Sequence, residues 1–285
     1  MRSDKEIMGL ILDVSREDAR IRAALLVGSR ANPSTPADSY QDFDITYIVE
    51  DVRPYSNNTK WIEECFGKPG IMQMPDLMAP PAQDTYAHFS YLMIFDDGVR
   101  IDLTISEKPG IDKGEPAIAL IDKDGRLAGL PHPDDSIWHV RPPSEKQYSD
   151  CCNEFWWCLN NVGKGIARDE LPYVMRMLNV LVRDMLDEML GWQVGVDAGF
   201  TVSVGKFGKY FRKHLPESMY SAYLMTYSSA KHEQIWVSVL AACNLFHEAA
   251  LHVAEHCGFI YNQGEEDAMR TYLNSVRHPY YSGRI

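Results

Sequence analysis

Two neighbouring strand patterns within residues 23–51 constrain the fold of this chain more than any other feature of its sequence. The first is a short apolar run that leads directly into Gly28 and Ser29. The second opens with Asp42 and Asp44, which alternate with apolar residues. Successive side chains of a strand point to opposite faces, so the two aspartates are predicted to share one face. The segment therefore predicts a strand, a polar connection and a second strand with an acidic face.

The acidic face has the chemistry of a nucleotide-triphosphate site. Two carboxylates held side by side stay ionised together only when a cation lies between them. Hard oxygen ligands suit Mg²⁺, which usually also binds phosphate oxygens, so we expect one or two Mg²⁺ ions on Asp42 and Asp44. Gly28 allows a backbone to approach a phosphate, Ser29 adds a hydroxyl donor, and Arg30 completes the predicted nucleotide contacts. The simpler alternative is a pair of solvent-facing acids after an ordinary turn.

A third carboxylate lies on a predicted β-hairpin. Residues 88–95 and 100–105 are apolar runs joined by an Asp-Gly turn, which is a strong hairpin signal. On the returning strand, Asp102 faces opposite to Ile101 and Leu103. If this strand lies beside the acidic one, Asp102 completes the metal site or accepts a proton from an attacking hydroxyl. We therefore predict that Asp102 is a catalytic residue and a metal ligand.

The charge of the chain limits its partners. With 28 basic and 40 acidic residues among 285, the net charge is -12. Binding to a phosphate backbone needs a basic surface, so nucleic acid is not expected as a partner. An acidic surface instead attracts a cationic small molecule. The first residues lack the features of a signal peptide, and no apolar stretch is long enough to span a membrane, so we expect a cytoplasmic protein.

The hydrophobic patterns predict an α+β architecture in two domains. Residues 1–143 are predicted to form a mixed sheet with flanking helices, and residues 144–285 a helical bundle that closes over the active-site cleft. Two prolines precede the boundary, and Ser144 and Gln147 have the spacing of a helix capping box. Helices are predicted at residues 3–18, 61–66, 148–167, 172–192, 206–215 and 233–257, the last closed by Gly258, and residues 70–83 are predicted to be irregular. In the helix at 172–192, the residues predicted on the buried side are Val174, Leu178, Leu181, Met185 and Met189.

Charged residues of the helical half are candidates for substrate contacts. Lys206, Lys209 and Lys213 have helical spacing and are predicted to share one helix face. We predict that Lys206 and Lys209, together with Lys164, contact the phosphates of the nucleotide; a solvated lysine face is the alternative. Acids of this half are candidates for a wall that faces a polycation, beside the flat rings of Trp156 and Trp157: Glu154, Asp169, Glu170, Asp184, Asp187 and Glu188.

The motifs LLVGSR, QDFDITYIVED, FSYLMIFDDGVRIDLTI, CCNEFWW and VGKGIARDE resemble those of the bacterial aminoglycoside 6-adenylyltransferases, over nearly the full length. The Gly-Ser turn and the Asp-x-Asp pair are shared with the whole nucleotidyltransferase superfamily. The resemblance implies transfer of AMP from ATP to a hydroxyl of streptomycin with the help of Mg²⁺. It also implies carboxylate roles for Asp42, Asp44 and Asp102, and a phosphate contact for Ser29.

Other functions stay open on the sequence alone. The same chemistry could act on another acceptor, such as a lincosamide or a protein hydroxyl. A non-catalytic nucleotide-binding module is a second alternative, although the intact acidic and glycine-serine motifs argue against decay. A polynucleotide-extending polymerase is disfavoured by the sequence pI of about 5.2. The oligomeric state is not predicted.

Overall fold

The computed structural model describes residues 2–56, 58–78, 87–108 and 115–281, with side chains as far as residue 277. The chain divides into two compact units, Met1–Ile137 and Trp138–Ile285. The first contains a mixed sheet and the second contains helices, so the predicted α+β class is confirmed. Part of the predicted irregular stretch that follows residue 70 lies outside the described residues.

Within the described ranges, the first unit is built on one six-stranded sheet. The strands in chain order are β1 (Ile21–Val27), β2 (Phe43–Val49), β3 (Ile71–Gln73), β4 (His88–Ile94), β5 (Arg100–Ser106) and β6 (Ala117–Asp122). Their spatial order is β3-β4-β5-β2-β1-β6. Only the central β2–β5 pair is parallel among these neighbouring pairs. The predicted β4–β5 hairpin is confirmed, whereas β3 lies in a stretch that was predicted to be irregular.

One face of the central strands is apolar and covered by helices α1 (Asp4–Glu17), α2 (Arg53–Ser56) and α3 (Lys60–Phe66). The Ser3 side chain accepts a hydrogen bond from the backbone of Glu6, and the Glu6 carboxylate accepts one from the Ser3 backbone. This capping box starts α1 where the sequence predicts it. The Tyr47 hydroxyl then donates to the Ile11 carbonyl at 2.7 Å, which fixes α1 against β2. The opposite face of β2 carries Asp44 and Thr46, and further along the strand Ile48, which packs in a separate small apolar cluster.

The second unit is helical throughout its regular structure in the described part of the chain. Its helices are α4 (Glu145–Ala167), α5 (Leu171–Arg176), α6 (Arg183–Asp197), α7 (Phe211–His214), α8 (Glu217–Met225), α9 (His232–Cys257) and α10 (Gln263–Tyr281). The rings of Phe155 and Phe246 stack with centroids 3.8 Å apart, and Trp156 packs edge-on against both. These contacts join α4 to α9 at the centre of the core.

The predicted single helix at residues 172–192 contains a π-helical segment, Met177–Val182, between α5 and α6. Each π turn takes more residues than an α turn, so the side chains beyond the segment are rotated around the helix axis. Leu181 was predicted on the buried side but is 41% exposed, and that prediction is wrong. Val174, Leu178 and Met189 are buried as predicted.

The predicted helix at residues 206–215 is wrong in its first half. Gly205, Phe207 and Gly208 all have positive φ, near 69°, 57° and 69° respectively. This left-handed backbone does not continue a right-handed helix. Lys206–Gly208 forms a short 3₁₀ turn, and α7 begins only at Phe211. The three lysines of this region therefore do not share one helix face.

The segment at residues 138–143 belongs to the helical unit, although the predicted boundary places it in the first domain. The Val140 N–H donates to the Val202 carbonyl at 2.9 Å. The Val140 side chain also packs close to Gly195. These contacts attach the segment to the end of α6 before α4 begins.

Helix α9 is the one helix in the described ranges whose length and apolar composition would also suit a membrane span. Its buried residues include Trp236, Val239, Phe246 and Ala250, which pack in the core of the helical unit. Core packing therefore accounts for the apolar character of α9. The helix ends at Gly258, which has the left-handed conformation of a C-cap as the sequence predicts.

Replacement of the α4 N-cap tests how much the capping box stabilises the helical unit. The Ser144 side chain accepts from the Gln147 N–H, so Ser144→Ala should lower the free energy of unfolding by about 1 kcal/mol. Ser149→Ala is the matched control, because Ser149 is an exposed serine inside the same helix. Urea denaturation followed by circular dichroism measures both. Equal stability of the two variants would contradict the role of the cap.

Candidate active site

The turn after β1 is built around Gly28. Residues Gly28–Arg30 form a 3₁₀ turn directly after Val27, which is the register partner of Asp44. Gly28 has φ of +69°, and a Cβ on it would overlap the Asp44 carboxylate. Only glycine therefore fits here without strain. The Gly28 backbone and the Asp44 side chain lie in direct contact as a result.

The fold brings the three predicted aspartates together. Asp44 and Asp102 are register partners on the parallel strands β2 and β5. Asp42 immediately precedes β2 and lies two residues before Asp44, so both point to the same face. This is the face opposite to the apolar one that packs on α1. The acids are thus gathered where two neighbouring strands run in parallel.

The surroundings of Asp42 and Asp44 disfavour the ionised forms of these two carboxyl groups. Burial raises the pKa of Asp44 to about 6, and repulsion from Asp102 and Asp42 adds to the effect. The pKa of Asp42 is also raised, first by burial and then by Asp102, while Arg100 opposes the shift. Perturbed carboxylates of this kind concentrate in functional sites. The cluster therefore favours a positive partner.

Arg100 supplies a positive charge that the sequence-based prediction missed. Its Nε and Nη2 donate to the two carboxylate oxygens of Asp102 at 2.9 and 2.6 Å. Its Nη1 lies 3.3 Å from Asp42 Oδ2. A spacing of two residues on a strand puts Arg100 and Asp102 on the same face, and that pattern was visible in the sequence.

The donor set fits a hard divalent cation. Asp42, Asp44 and Asp102 offer carboxylate oxygens on one face, which suits Mg²⁺. In the described ranges, however, no group of three or more His, Cys, Asp or Glu side chains is positioned to hold a metal ion. The Arg100 guanidinium contacts Asp102 and Asp42, so their oxygens are turned towards an internal cation. The three carboxylates are suitable ligands for Mg²⁺, and Arg100 contacts two of them in this structure.

Arg30 has a structural function beside the site. Its Nε donates to the Asp42 carbonyl at 3.0 Å and its Nη2 to the Gln41 carbonyl at 2.9 Å. Its Nη1 pairs with Asp4 at 2.6 Å, and the guanidinium lies 3.8 Å from the Phe43 ring centroid. These contacts hold the segment that leads into β2. A contact of Arg30 or Ser29 with the nucleotide stays a prediction.

The three predicted lysines belong to the helical unit. Lys164 lines a cavity of about 660 Å³ beside α4 and α10, together with Trp156 and Trp157. Lys206 and Lys209 lie on the 3₁₀ turn before α7, where their amino groups are 5.2 and 5.0 Å from the ring centroids of the adjacent Phe207 and Tyr210. Lys164 therefore lies on α4, whereas Lys206 and Lys209 lie in the segment that leads into α7. Phosphate binding by the three stays a prediction.

The predicted acidic wall of the helical unit is not uniform. Glu154 accepts a hydrogen bond from the Cys158 thiol, and Asp169 pairs with His232 at 3.0 Å. Asp187 differs, because its Oδ1 is buried and has no hydrogen-bond partner among the described residues. Burial raises the pKa of Asp187 to about 6, against the opposing effects of Tyr223 and Arg183. The six acids therefore do not present one continuous solvated surface.

Comparisons with known proteins show which proteins the whole chain is similar to. The family model described as streptomycin adenylyltransferase matches residues 1–276. The chain is 37% identical to an aminoglycoside 6-adenylyltransferase of Campylobacter jejuni over 259 residues, covering 89% of each chain. It is 34% identical to one of Bacillus subtilis (strain 168) over 278 residues, covering 93% of this chain and 95% of that one. A crystal structure of an aminoglycoside 6-adenyltransferase from Bacillus subtilis is 29% identical, with a TM-score of 0.48, over 97% of this chain and 99% of that chain.

The raised pKa of Asp44 predicts how stability depends on pH without divalent cations. Its pKa rises from an ordinary 3.8 to about 6 in the folded protein, so the folded state binds more protons between these values. Stability contributed by Asp44 therefore falls as pH rises through this window. Asp44→Asn removes the cost of the buried charge and should raise the free energy of unfolding by up to about 3 kcal/mol at pH 7.5.

Thermal unfolding in a chelating buffer measures this effect. The gain of Asp44→Asn should shrink as the pH falls towards 4, where Asp44 is protonated in the folded state and partly protonated in the unfolded state. Asp13→Asn, which removes an exposed charge from the same unit, is the control and should leave the melting temperature nearly unchanged. A loss of stability in Asp44→Asn at pH 7.5 would show that the Asp44 charge is favourable.

Proposed function

Because this chain belongs to the streptomycin adenylyltransferase family and is therefore a nucleotidyltransferase, we propose that it transfers AMP from ATP to an aminoglycoside hydroxyl. The preferred acceptor is streptomycin. The observation that carries the proposal is the placement of Asp42, Asp44 and Asp102 on one face of two adjacent strands. The close approach of Gly28 to Asp44 supports it, since it brings the backbone of the Gly-Ser turn beside a cation-binding carboxylate.

The site residues divide into nucleotide-holding and proton-accepting groups. Asp42 and Asp44 would hold Mg²⁺, with Asp102 as a further ligand. When bound, the metal neutralises negative charge on the phosphates and on the departing pyrophosphate. Gly28 and Ser29 allow the phosphates to approach the end of β1 without obstruction by a side chain. We propose that one or two Mg²⁺ ions bind to these carboxylates.

Asp102 is the proposed proton acceptor. The acceptor hydroxyl oxygen attacks the α-phosphorus of ATP, and its proton passes to the Asp102 carboxylate. A new oxygen–phosphorus bond forms while the bond from the α-phosphorus to the bridging oxygen breaks, so pyrophosphate leaves. Positioning and charge neutralisation contribute most of the acceleration in phosphoryl-type transfers. The chain therefore needs no covalent intermediate of its own.

The charge of the chain fits the proposed acceptor. A net charge of -12 attracts a polycationic antibiotic, and the acids of α4 and α6 are proposed to contact its ammonium or guanidinium groups. Among them Asp187 has a buried carboxylate oxygen, Oδ1, without a hydrogen-bond partner in the described part of the chain. Lys206 and Lys209 are proposed to help neutralise the pyrophosphate. Use of ATP places the reaction in the cytoplasm, and neither nucleic acid nor a membrane is required.

An acceptor panel tests the proposed function. Pyrophosphate release from MgATP is measured with streptomycin, other aminoglycosides, a lincosamide or no acceptor, and each product is analysed by mass spectrometry. The proposal expects release with streptomycin and a product that is heavier by one AMP. Release with the lincosamide alone would assign another acceptor. ATP binding without release in any mixture would favour a non-catalytic module.

Replacement of Asp44 predicts a specific loss of turnover. Asp44→Asn keeps the shape of the side chain but removes the charge that holds the metal, so pyrophosphate release should fall by at least about a hundredfold. Asp13→Asn removes an equal charge from an exposed position and should keep wild-type turnover. Near-normal turnover of Asp44→Asn would refute the metal-binding role of this residue.

A further inference from the structure

Four residues form a two-by-two charged patch on the open face of the sheet. Asp44 lies beside Asp102 in the parallel β2–β5 pair, and Arg100 Nη1 lies 3.3 Å from Oδ2 of Asp42, which immediately precedes β2. Members of each pair on one strand are two residues apart, so all four side chains point to one side. The patch therefore contains three carboxylates and one guanidinium.

Arg100 is held tightly within this patch. It forms a two-point fork on Asp102 at 2.9 and 2.6 Å and reaches Asp42 at 3.3 Å. The hydrogen bonds to Asp102 raise the pKa of Arg100, so the guanidinium is positive at every accessible pH. A bidentate arginine–carboxylate pair is a strong charge-assisted contact. The Arg100 guanidinium thus balances part of the negative charge of these acids.

The fork uses the same oxygen atoms that a metal ion requires. Both oxygens of Asp102 accept hydrogen bonds from Arg100, and Asp42 Oδ2 faces the same guanidinium. A cation cannot approach these oxygens closely while the guanidinium lies on them, because like charges repel. With three ionised carboxylates and one guanidinium, the patch keeps two negative charges, which still attract a divalent ion. Metal and Arg100 therefore compete for the patch.

We infer that Arg100 is an internal counter-cation that competes with the divalent metal for Asp102 and Asp42. A metal bound there would displace the guanidinium from the Asp102 and Asp42 oxygens that it contacts. The inference rests on the proposed function, since it assigns a positioning residue to the same metal site.

Mn²⁺ binding without nucleotide tests the competition. The paramagnetic resonance signal of free Mn²⁺ is titrated with wild-type protein, Arg100→Gln and Arg100→Lys. Arg100→Gln removes the competing charge and should bind Mn²⁺ at least about threefold more tightly than the wild type. Arg100→Lys keeps the charge but loses the fork, so its affinity should lie between the two.

The chain offers a closely matched control. Arg20 forks Asp18 two residues away with distances of 2.9 and 2.6 Å, the same geometry as the Arg100 fork. It lies before the start of β1, whereas Gly28 follows the end of that strand. Arg20→Gln should leave Mn²⁺ affinity unchanged. Circular dichroism verifies that each variant is folded.

The possible results separate the inference from the proposed function. Tighter Mn²⁺ binding by Arg100→Gln, with Arg20→Gln unchanged, supports the competition. Equal or weaker binding by Arg100→Gln, in a wild type that binds Mn²⁺, overturns the inference and leaves the metal site in place. Absence of Mn²⁺ binding in both wild type and Arg100→Gln, or wild-type binding by Asp44→Asn, refutes the metal site and the inference with it.

Discussion

Repulsion among three carboxylates on one sheet face is the interaction on which the active site depends. Burial of Asp44 beside two other acids raises its pKa to about 6. A nearby cation favours the ionised forms of such clustered carboxylates. Arg100 supplies part of that positive charge from within the chain, and the divalent metal of the proposed reaction would supply the rest.

The arrangement of the strands keeps the three acidic side chains close together despite their repulsion. The single parallel contact of the described sheet, between β2 and β5, puts Asp44 directly beside Asp102. Buried apolar residues on the reverse face, among them Ile45 and Leu103, anchor both strands. Gly28 then lets the turn after β1 close against Asp44. The apolar face thus provides the stability that the acidic face lacks.

The sequence-based prediction was correct where capping boxes or a turn motif set the structure, and wrong where irregular backbone geometry set it. Capped helices such as α1 and α4, and the β4–β5 hairpin, depend on contacts between residues close in the chain, and they were predicted. The break at Phe207 and the π segment before Arg183 depend on backbone geometry that hydrophobic periodicity does not report. Leu181 is exposed for this reason, although its spacing predicted burial.

The sequence by itself determined the chemical groups of the site: a glycine-serine turn, an Asp-x-Asp pair and a third aspartate on a hairpin strand. Alternation along a strand was enough to place Asp42 with Asp44, because that relation is local. Only the tertiary structure decided that Asp102 lies beside Asp44, since strand order and register join residues far apart in the chain. It also decided that Arg100, which shares a strand face with Asp102, reaches Asp42 in a part of the chain far from it in sequence.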